Sequence, residues 1–190
     1  MEDSKKVTSI ILAGGKNLRL GRNKAIENIG NITLIERVAK RLRPLTGHYI
    51  IVTSGDKFEL PGPCKAEMLA DVYYGKGPLG GIYTGLLTAR SSQSIVVACD
   101  MPFLNNKLLG YMLELSGDYD AVVPRLDNGM IEPLHAIYSK SCLGKMKEWL
   151  ESDRLKIYRF LDAIKVRYVE RAECQEYDPQ LLSFFNIKGA

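Results

Sequence analysis

Short apolar runs alternate along the chain with segments whose apolar residues recur at helical spacing. The run at 7–12 is apolar and largely β-branched, which is typical of a buried strand, and 94–99 has the same character. At 33–42 apolar residues recur every three or four positions, and Thr33 with Glu36 is typical of a capping box. The pattern predicts strands at 7–12, 49–53, 65–69, 94–99, 121–124, 133–138 and 164–169, and helices at 33–42, 79–89, 107–115, 142–150 and 156–161.

This alternation predicts an α/β fold with a mainly parallel sheet and helices on both of its faces, which makes three layers. The one linker-like stretch, residues 55–63, is too short to mark a domain boundary, so we expect a single domain over residues 1–190. Ligands of such sheets bind beyond the carboxyl ends of the strands. The residues that follow the predicted strands are therefore the first candidates for a functional site.

Composition narrows the classes of protein. Hydrophobic residues make up 46% of the 190 residues and charged residues 25%, which are globular values. The net charge of +4 suits an anionic ligand but is too weak and scattered to predict nucleic-acid binding. The four cysteines form no CxxC pair and are expected to be small buried side chains.

The start of the chain, MEDSKK, lacks the apolar segment of a signal peptide. The strongest apolar run, 95–99, is far shorter than the roughly 20 residues that span a membrane. We therefore expect a cytoplasmic protein without a membrane or nucleic-acid partner.

Two glycines and three basic residues follow the first predicted strand, in ILAGGKNLRLGRNKA. Gly14 and Gly15 would let backbone amides converge on an anion, and Arg19, Arg22 and Lys24 would neutralise it. The spacing fits neither the P-loop nor the dinucleotide-binding pattern. The loop predicts a polyphosphate site of another kind, and a solvated basic loop with turn glycines remains the alternative.

A carboxylate, Asp100, comes directly after the predicted strand at 94–99. Mg²⁺ bound to a triphosphate usually takes one or two protein carboxylates, which makes Asp100 a candidate magnesium ligand. The alternative is a helix N-cap, but the helical pattern begins later, near Asn105.

Other candidates are weaker. Asp71 could accept hydrogen bonds from a base or sugar, and the glycines at 77–81 could admit either a ligand or a neighbouring strand.

Glu132 and His135 would point to opposite faces of a regular strand at 133–138, and His135 could contact a second substrate or be structural. The residues Arg154, Lys156 and Arg159 could form a docking patch for an anionic co-substrate or a solvated face.

Five motifs, in order, resemble those of the molybdenum cofactor guanylyltransferases and their MobA-like nucleotidyltransferase relatives. LAGGKNLRLGRNKA resembles the LAGGxSxRMGxDKA signature of this family, and GPLGGI at 77–82 resembles its GPLAGI. CDMPFL at 99–104 is similar to CDMPF, EPLHAIY at 132–138 to an HPxxAxY-like strand, and FFNI at 184–187 to the start of FxNxNTPEDL. Leu20, Asn23 and Lys188 depart from the family's methionine, aspartate and second asparagine.

The resemblance implies a single-domain Rossmann-like nucleotidyltransferase fold and transfer of GMP from GTP to molybdopterin, with release of pyrophosphate. It also implies Mg²⁺ as the cofactor, and molybdoenzymes or their chaperones as further partners. The implied roles are a nucleotide loop at Leu12, Ala13, Gly14 and Gly15, triphosphate contacts at Arg19 and Lys24, a guanosine contact at Asp71, and a metal ligand at Asp100.

Three alternatives stay open. The same fold could act on another phosphorylated acceptor, such as a sugar phosphate or a small acid. It could use CTP, although the double glycine at 14–15 resembles the guanine-using members and cytidylyl relatives tend to carry LAAG or LPAG. It could also be a GTP-binding module without catalytic activity.

Overall fold

A central sheet carries every helix of the described structure on one or other of its faces. The computed structural model describes residues 6–14, 24–55, 58 and 65–187. The strands are β1 (Val7–Leu12), β2 (Asn28–Ile29), β3 (Ile32–Thr33), β4 (Thr46–Thr53), β5 (Glu67–Ala70), β6 (Gln93–Ala98), β7 (Ala121–Arg125), β8 (His135–Ser139) and β9 (Val166–Glu170). The helices are α1 (Leu34–Leu42), α2 (Gly77–Thr88), α3 (Asn106–Leu115), α4 (Leu143–Glu151), α5 (Ile157–Asp162) and α6 (Arg171–Tyr177).

In the part of the chain that the structure describes, seven strands pair in the order β5-β4-β1-β6-β8-β7-β9. The pairs on both sides of β1, and those of β4 with β5 and β7 with β9, are parallel, whereas β8 is antiparallel to β6 and β7. Because β8 is reversed, its first residue lies at the edge where the parallel strands end. Within the described residues, the short strands β2 and β3 pair only with each other.

Both faces of the sheet are covered, because alternate residues of the central strands supply two separate cores. Ile10 and Val96 face helices α2, α4 and α5, whereas Ile11 and Val97 face α1, α3 and α6. All four of these side chains are fully buried. The expected α/β fold class with a mainly parallel sheet and three layers is confirmed.

The predicted elements are present, with shifted ends. The capping box at the start of α1 is confirmed, since Thr33 Oγ1 accepts from the Glu36 amide and Glu36 Oε2 accepts from the Thr33 amide at 2.8 Å. The sequence pattern missed β2, β3 and α6. In the part of the chain that the structure describes, no helix is long and apolar enough to cross a membrane.

Candidate functional site

The loops that follow β1, β4, β5 and β6 leave the sheet side by side at one edge, called here the carboxyl edge. The Ala13 amide donates to the Val52 carbonyl at 2.8 Å, which ties the end of β1 to that of β4. The Cys99 amide donates to the Leu12 carbonyl at 3.0 Å and ties the end of β6 to that of β1. The first bond brings the loop after β1 next to the loop after β4, and the second brings it next to the loop that carries Asp100.

The start of the nucleotide loop lies at this edge. Leu12 is buried, Ala13 is half-buried and Gly14 is exposed. A Cβ on Gly14 would lie 3.2 Å from both the Cβ and the backbone nitrogen of Ser54, so the close approach of the two loops favours glycine. The structure thus places Leu12, Ala13 and Gly14 at the carboxyl edge, and their contact with phosphate stays a prediction.

The basic part of the loop lies largely outside the described residues. Gly15 and Arg19 lie outside the described residues. The backbone of Lys24 begins a single 3-10 turn, Lys24–Ile26, and its side chain lies outside the described structure. The roles of these three residues in binding a triphosphate therefore stay predictions.

Asp71 lies at the carboxyl edge, directly after β5, and its carboxylate holds the chain that leads into α2. Its Oδ1 accepts from the Tyr73 amide at 2.8 Å and from the Thr84 hydroxyl at 3.0 Å. A Cβ on Gly80 would lie 3.1 Å from its Oδ2, so the carboxylate rests against the first turn of α2. Asp71 therefore orients the connection between β5 and α2, and its contact with guanosine stays a prediction.

The glycine-rich start of α2 serves the packing of the helix onto the sheet. A Cβ on Gly81 would lie 3.1 Å from Cδ2 of Leu12, and one on Gly85 would lie 2.5 Å from Cγ2 of Ile10. These contacts agree with close helix–strand packing, one of the two interpretations of this stretch. Pro78 lies in the first turn, and among the described residues no side chain caps the amides of this turn, which leaves them suited to an anion.

Asp100 lies in the loop between β6 and α3, residues 99–105, called here the Asp100 loop. It is half-buried and does not cap α3. Asn105 is the cap, because its Oδ1 accepts from the Lys107 amide at 2.9 Å and the Leu108 amide at 3.2 Å. The alternative interpretation of Asp100 as a helix N-cap is therefore wrong.

The donor chemistry at this edge fits Mg²⁺. Asp100 supplies a hard carboxylate oxygen, and Mg²⁺ commonly takes one or two carboxylates with water and phosphate oxygens as its other ligands. Among the described residues, no group of three or more His, Cys, Asp and Glu side chains could hold a metal alone. A single carboxylate ligand such as Asp100 suits a cation that is shared with a bound triphosphate.

The segment before β8 differs from its prediction. The strand begins at His135 and not at residue 133, so Glu132 precedes it and the argument from alternating faces does not apply. Glu132 is half-buried at the carboxyl edge, and burial raises the pKa of its carboxyl.

His135 is fully buried, with its ring 4.8 Å from that of Phe184. Burial lowers the pKa of its imidazole to about 4, so the ring is neutral near pH 7. Neither ring nitrogen has a hydrogen-bond partner within the described part of the chain. His135 is therefore a core residue beside the site, and a contact with a second substrate is not supported.

The basic residues at 154–159 are largely paired with their own neighbours. The Arg154 guanidinium lies 4.6 Å above the Trp149 ring and 2.8 Å from Glu148 Oε1. Arg159 lies 3.8 Å from Asp162 in the same helix. These contacts favour the solvated-face interpretation over a docking patch.

A family model and two similar proteins each match most of the chain. Residues 9–168 match the family model described as the MobA-like NTP transferase domain. A probable molybdenum cofactor guanylyltransferase of Peptoclostridium acidaminophilum is 36% identical over 95% of this chain and 83% of its own length. A second, from Pelotomaculum thermopropionicum, is 36% identical over 96% of this chain and 87% of its own.

A solved structure is similar to this chain over most of its length. The crystal structure of molybdopterin-guanine dinucleotide biosynthesis protein A from Archaeoglobus fulgidus is similar with a TM-score of 0.78 and 27% identity. The match covers 95% of this chain and 91% of that one. The fold, the order of the motifs and these similarities lead to one conclusion: the chain belongs to the MobA-like NTP transferase family of nucleotidyltransferases.

Proposed function

We propose that the chain transfers GMP from GTP to molybdopterin and releases pyrophosphate, and that it does so in the cytoplasm. The observation that carries the proposal is the meeting of the loop after β1, the start of α2 and the Asp100 loop at the carboxyl edge of the sheet. The names of the similar guanylyltransferases support GTP as the donor and molybdopterin as the acceptor.

In the proposed reaction, a phosphate oxygen of the acceptor attacks the α-phosphorus of GTP in line. The new oxygen–phosphorus bond forms as the bond between the α-phosphorus and its bridging oxygen to the β-phosphate breaks, and pyrophosphate leaves. The attacking phosphate is already deprotonated near neutral pH, so this scheme needs no general base. Catalysis then depends on positioning and on neutralising the charge of the triphosphate.

Each group of residues has a separate role in the proposed reaction. The backbone at Leu12, Ala13, Gly14 and Gly15 would bind the phosphates, with the first-turn amides of α2 facing the same edge. Arg19 and Lys24 would neutralise the developing pyrophosphate, and Asp71 would lie beside the guanosine. Asp100 would hold Mg²⁺, which supplies charge neutralisation to the triphosphate when bound.

Thermal unfolding with GTP, CTP, ATP and UTP, each with and without Mg²⁺, tests the nucleotide half of the proposal. A ligand at 100 times its Kd adds about 2.7 kcal/mol, or about 5 to 11 °C for a chain of this length. We expect the largest shift with GTP and Mg²⁺. A larger shift with CTP would assign the site to cytidylyl transfer, and no shift with any nucleotide would contradict the proposed site.

The variant Asp100→Asn tests the proposal that Asp100 holds Mg²⁺. Transfer should fall by about 10²-fold or more, and the extra stabilisation by Mg²⁺ in the presence of GTP should be lost. Asp118→Asn is the control, because Asp118 is exposed and follows α3 at the opposite edge of the sheet. Full activity in Asp100→Asn would remove the metal assignment.

A further inference from the structure

The Asp100 loop is bound along its length by the segment that follows α6. The Ile187 amide donates to the Asp100 carbonyl at 3.0 Å. At the other end of the loop, the Asn105 amide donates to Ser183 Oγ at 3.0 Å, and Asn105 Nδ2 donates to the Tyr177 carbonyl at 2.9 Å. Since 187 meets 100 and 183 meets 105, the two segments run antiparallel.

Residues 178–187, called here the C-terminal clasp, have a shape that a buried carboxylate fixes. Asp178 is 6% exposed, and its Oδ2 accepts from the Ser183 amide at 2.8 Å. Its Oδ1 accepts from the Leu182 amide at 3.2 Å, across a left-handed turn at Leu181 with φ of +53°. Ser183 is fully buried, which places its hydroxyl where the Asn105 amide can reach it.

Two aromatic contacts attach the clasp on either side. Phe184 packs on His135 at the start of β8, with ring centroids 4.8 Å apart. Phe185 packs on Phe103 of the Asp100 loop, with centroids 5.8 Å apart. The clasp thus joins the Asp100 loop to the neighbouring strand of the sheet.

This arrangement bears on the position of Asp100 itself. The loop leaves the sheet at Cys99, whose amide donates to the Leu12 carbonyl, and reaches α3 at Asn105. The bond from Ile187 holds the backbone of Asp100, between these two points. A carboxylate that binds a cation must be held within a fraction of an ångström of its working position, because a 1 Å displacement can cost about 10²-fold in rate.

We propose that the C-terminal clasp positions the Asp100 carboxylate for its cation, with the Ile187 amide and the Ser183 hydroxyl as the positioning groups. The inference rests on the proposed function, since it takes Asp100 as the metal ligand. It adds roles that neither the motifs nor the family match assign. Asp178, Ser183 and Ile187 all lie outside the matched residues 9–168, and the resemblance of the FFNI motif implies no role for the amide of Ile187, its last residue.

The test replaces Ile187 with proline, which removes the amide N–H, and with alanine, which keeps it. The readout is binding of Mn²⁺, a paramagnetic substitute for Mg²⁺, followed by electron paramagnetic resonance in the presence of GTP. We expect Ile187→Pro to weaken Mn²⁺ binding tenfold or more, and Ile187→Ala to stay within twofold of the wild type. Circular dichroism and thermal unfolding establish that each variant is folded.

Ser183→Ala is a milder second variant. It removes the acceptor of the Asn105 amide and leaves the rest of the clasp, so Mn²⁺ binding should weaken by about fivefold, the ratio that corresponds to one hydrogen bond of about 1 kcal/mol. Because the change removes a single buried oxygen, it tests the inference even if Ile187→Pro does not fold.

The Asp100→Asn protein separates the two proposals. If it loses Mn²⁺ binding while folded Ile187→Pro and Ser183→Ala keep it, the positioning role is wrong and the metal assignment stands. If Asp100→Asn itself keeps full Mn²⁺ affinity, the metal assignment fails and the positioning role fails with it. An equal loss in Ile187→Ala and Ile187→Pro would also overturn the inference, because it would assign the effect to the side chain.

Discussion

Replacement of His135 by leucine should change how the stability of the fold depends on pH. The imidazole of His135 is fully buried, and its two nitrogens have no hydrogen-bond partner among the described residues. Burial lowers its pKa from 6.5 to about 4, and the nearby Asp178 carboxylate acts in the opposite direction. The folded protein therefore keeps a neutral imidazole under conditions in which the unfolded chain binds a proton.

The direction and size of this change in stability follow from the difference in proton binding between the folded and unfolded chains. A lowered pKa in the folded state means that stability is fully present above pH 6.5 and is lost as the pH falls towards 4. One pH unit across this window is worth about 1.4 kcal/mol, so the full loss is about 3 kcal/mol at pH 4. At pH 5 the loss is about 2 kcal/mol relative to pH 8.

The assay is urea unfolding of the wild type and His135→Leu at several pH values from 8 to 5. At pH 8 the variant should be equal to the wild type or more stable by about 1 kcal/mol, because it removes from the core two polar atoms that have no partner among the described residues. The free-energy difference between the two proteins should then grow by about 2 kcal/mol by pH 5. The chain has one other histidine, His48, which is unchanged in both proteins and cancels in the difference.

The result that would refute the reasoning is a constant difference between the two proteins over this range. Parallel curves would mean that His135 has the same pKa in the folded and unfolded chains. That outcome requires a proton acceptor or water at the buried ring, in conflict with the packing against Phe184.

Two further predictions concern packing and charge. Gly85→Ala should lower the free energy of unfolding by about 1–3 kcal/mol, because the new Cβ would lie 2.5 Å from Ile10 Cγ2. Gly110→Ala, whose Cβ would meet an atom no closer than 3.7 Å, should be neutral or stabilising by up to about 1 kcal/mol. Glu173 has its pKa lowered to about 2, chiefly by hydrogen bonds from Arg167, so its stabilisation is present above pH 4.5 and is lost as the pH falls towards 2. Glu173→Gln should cost about 1–3 kcal/mol at pH 7 and flatten the stability curve in that acid window, and an unchanged curve would contradict the assignment.

The parts of the fold that sequence predicted are those that local pattern determines. The buried strands β1 and β6 follow from continuous apolar runs, and α1 follows from helical spacing behind a capping box. The missed helix α6 buries only Cys174 on its apolar side and begins at a glutamate cap, Glu170, so neither its periodicity nor its cap stands out. The strands β2 and β3 have two residues each, which is too short for any periodicity.

The candidate site likewise contains residues that the local sequence pattern identifies and contacts that it does not. Gly14, Asp71 and Asp100 could be identified because each follows a strand whose pattern is clear. The hydroxyl of Thr84 that holds Asp71, and that of Ser183 that binds Asn105, could not, because these partners are 13 and 78 residues apart in the chain. The clasp carries the FFNI motif at 184–187 and a turn signal at Asp178-Pro179, but neither says what the segment contacts.

The central claim is transfer of GMP, and following the label of radioactive GTP tests it most directly. The protein is incubated with molybdopterin, Mg²⁺ and GTP that is labelled either at the α- or at the γ-phosphate. The account predicts that the α-label enters a molybdopterin product and that the γ-label leaves as pyrophosphate in equal amount. Release of the γ-label as inorganic phosphate, or transfer of label from CTP in preference to GTP, would contradict it.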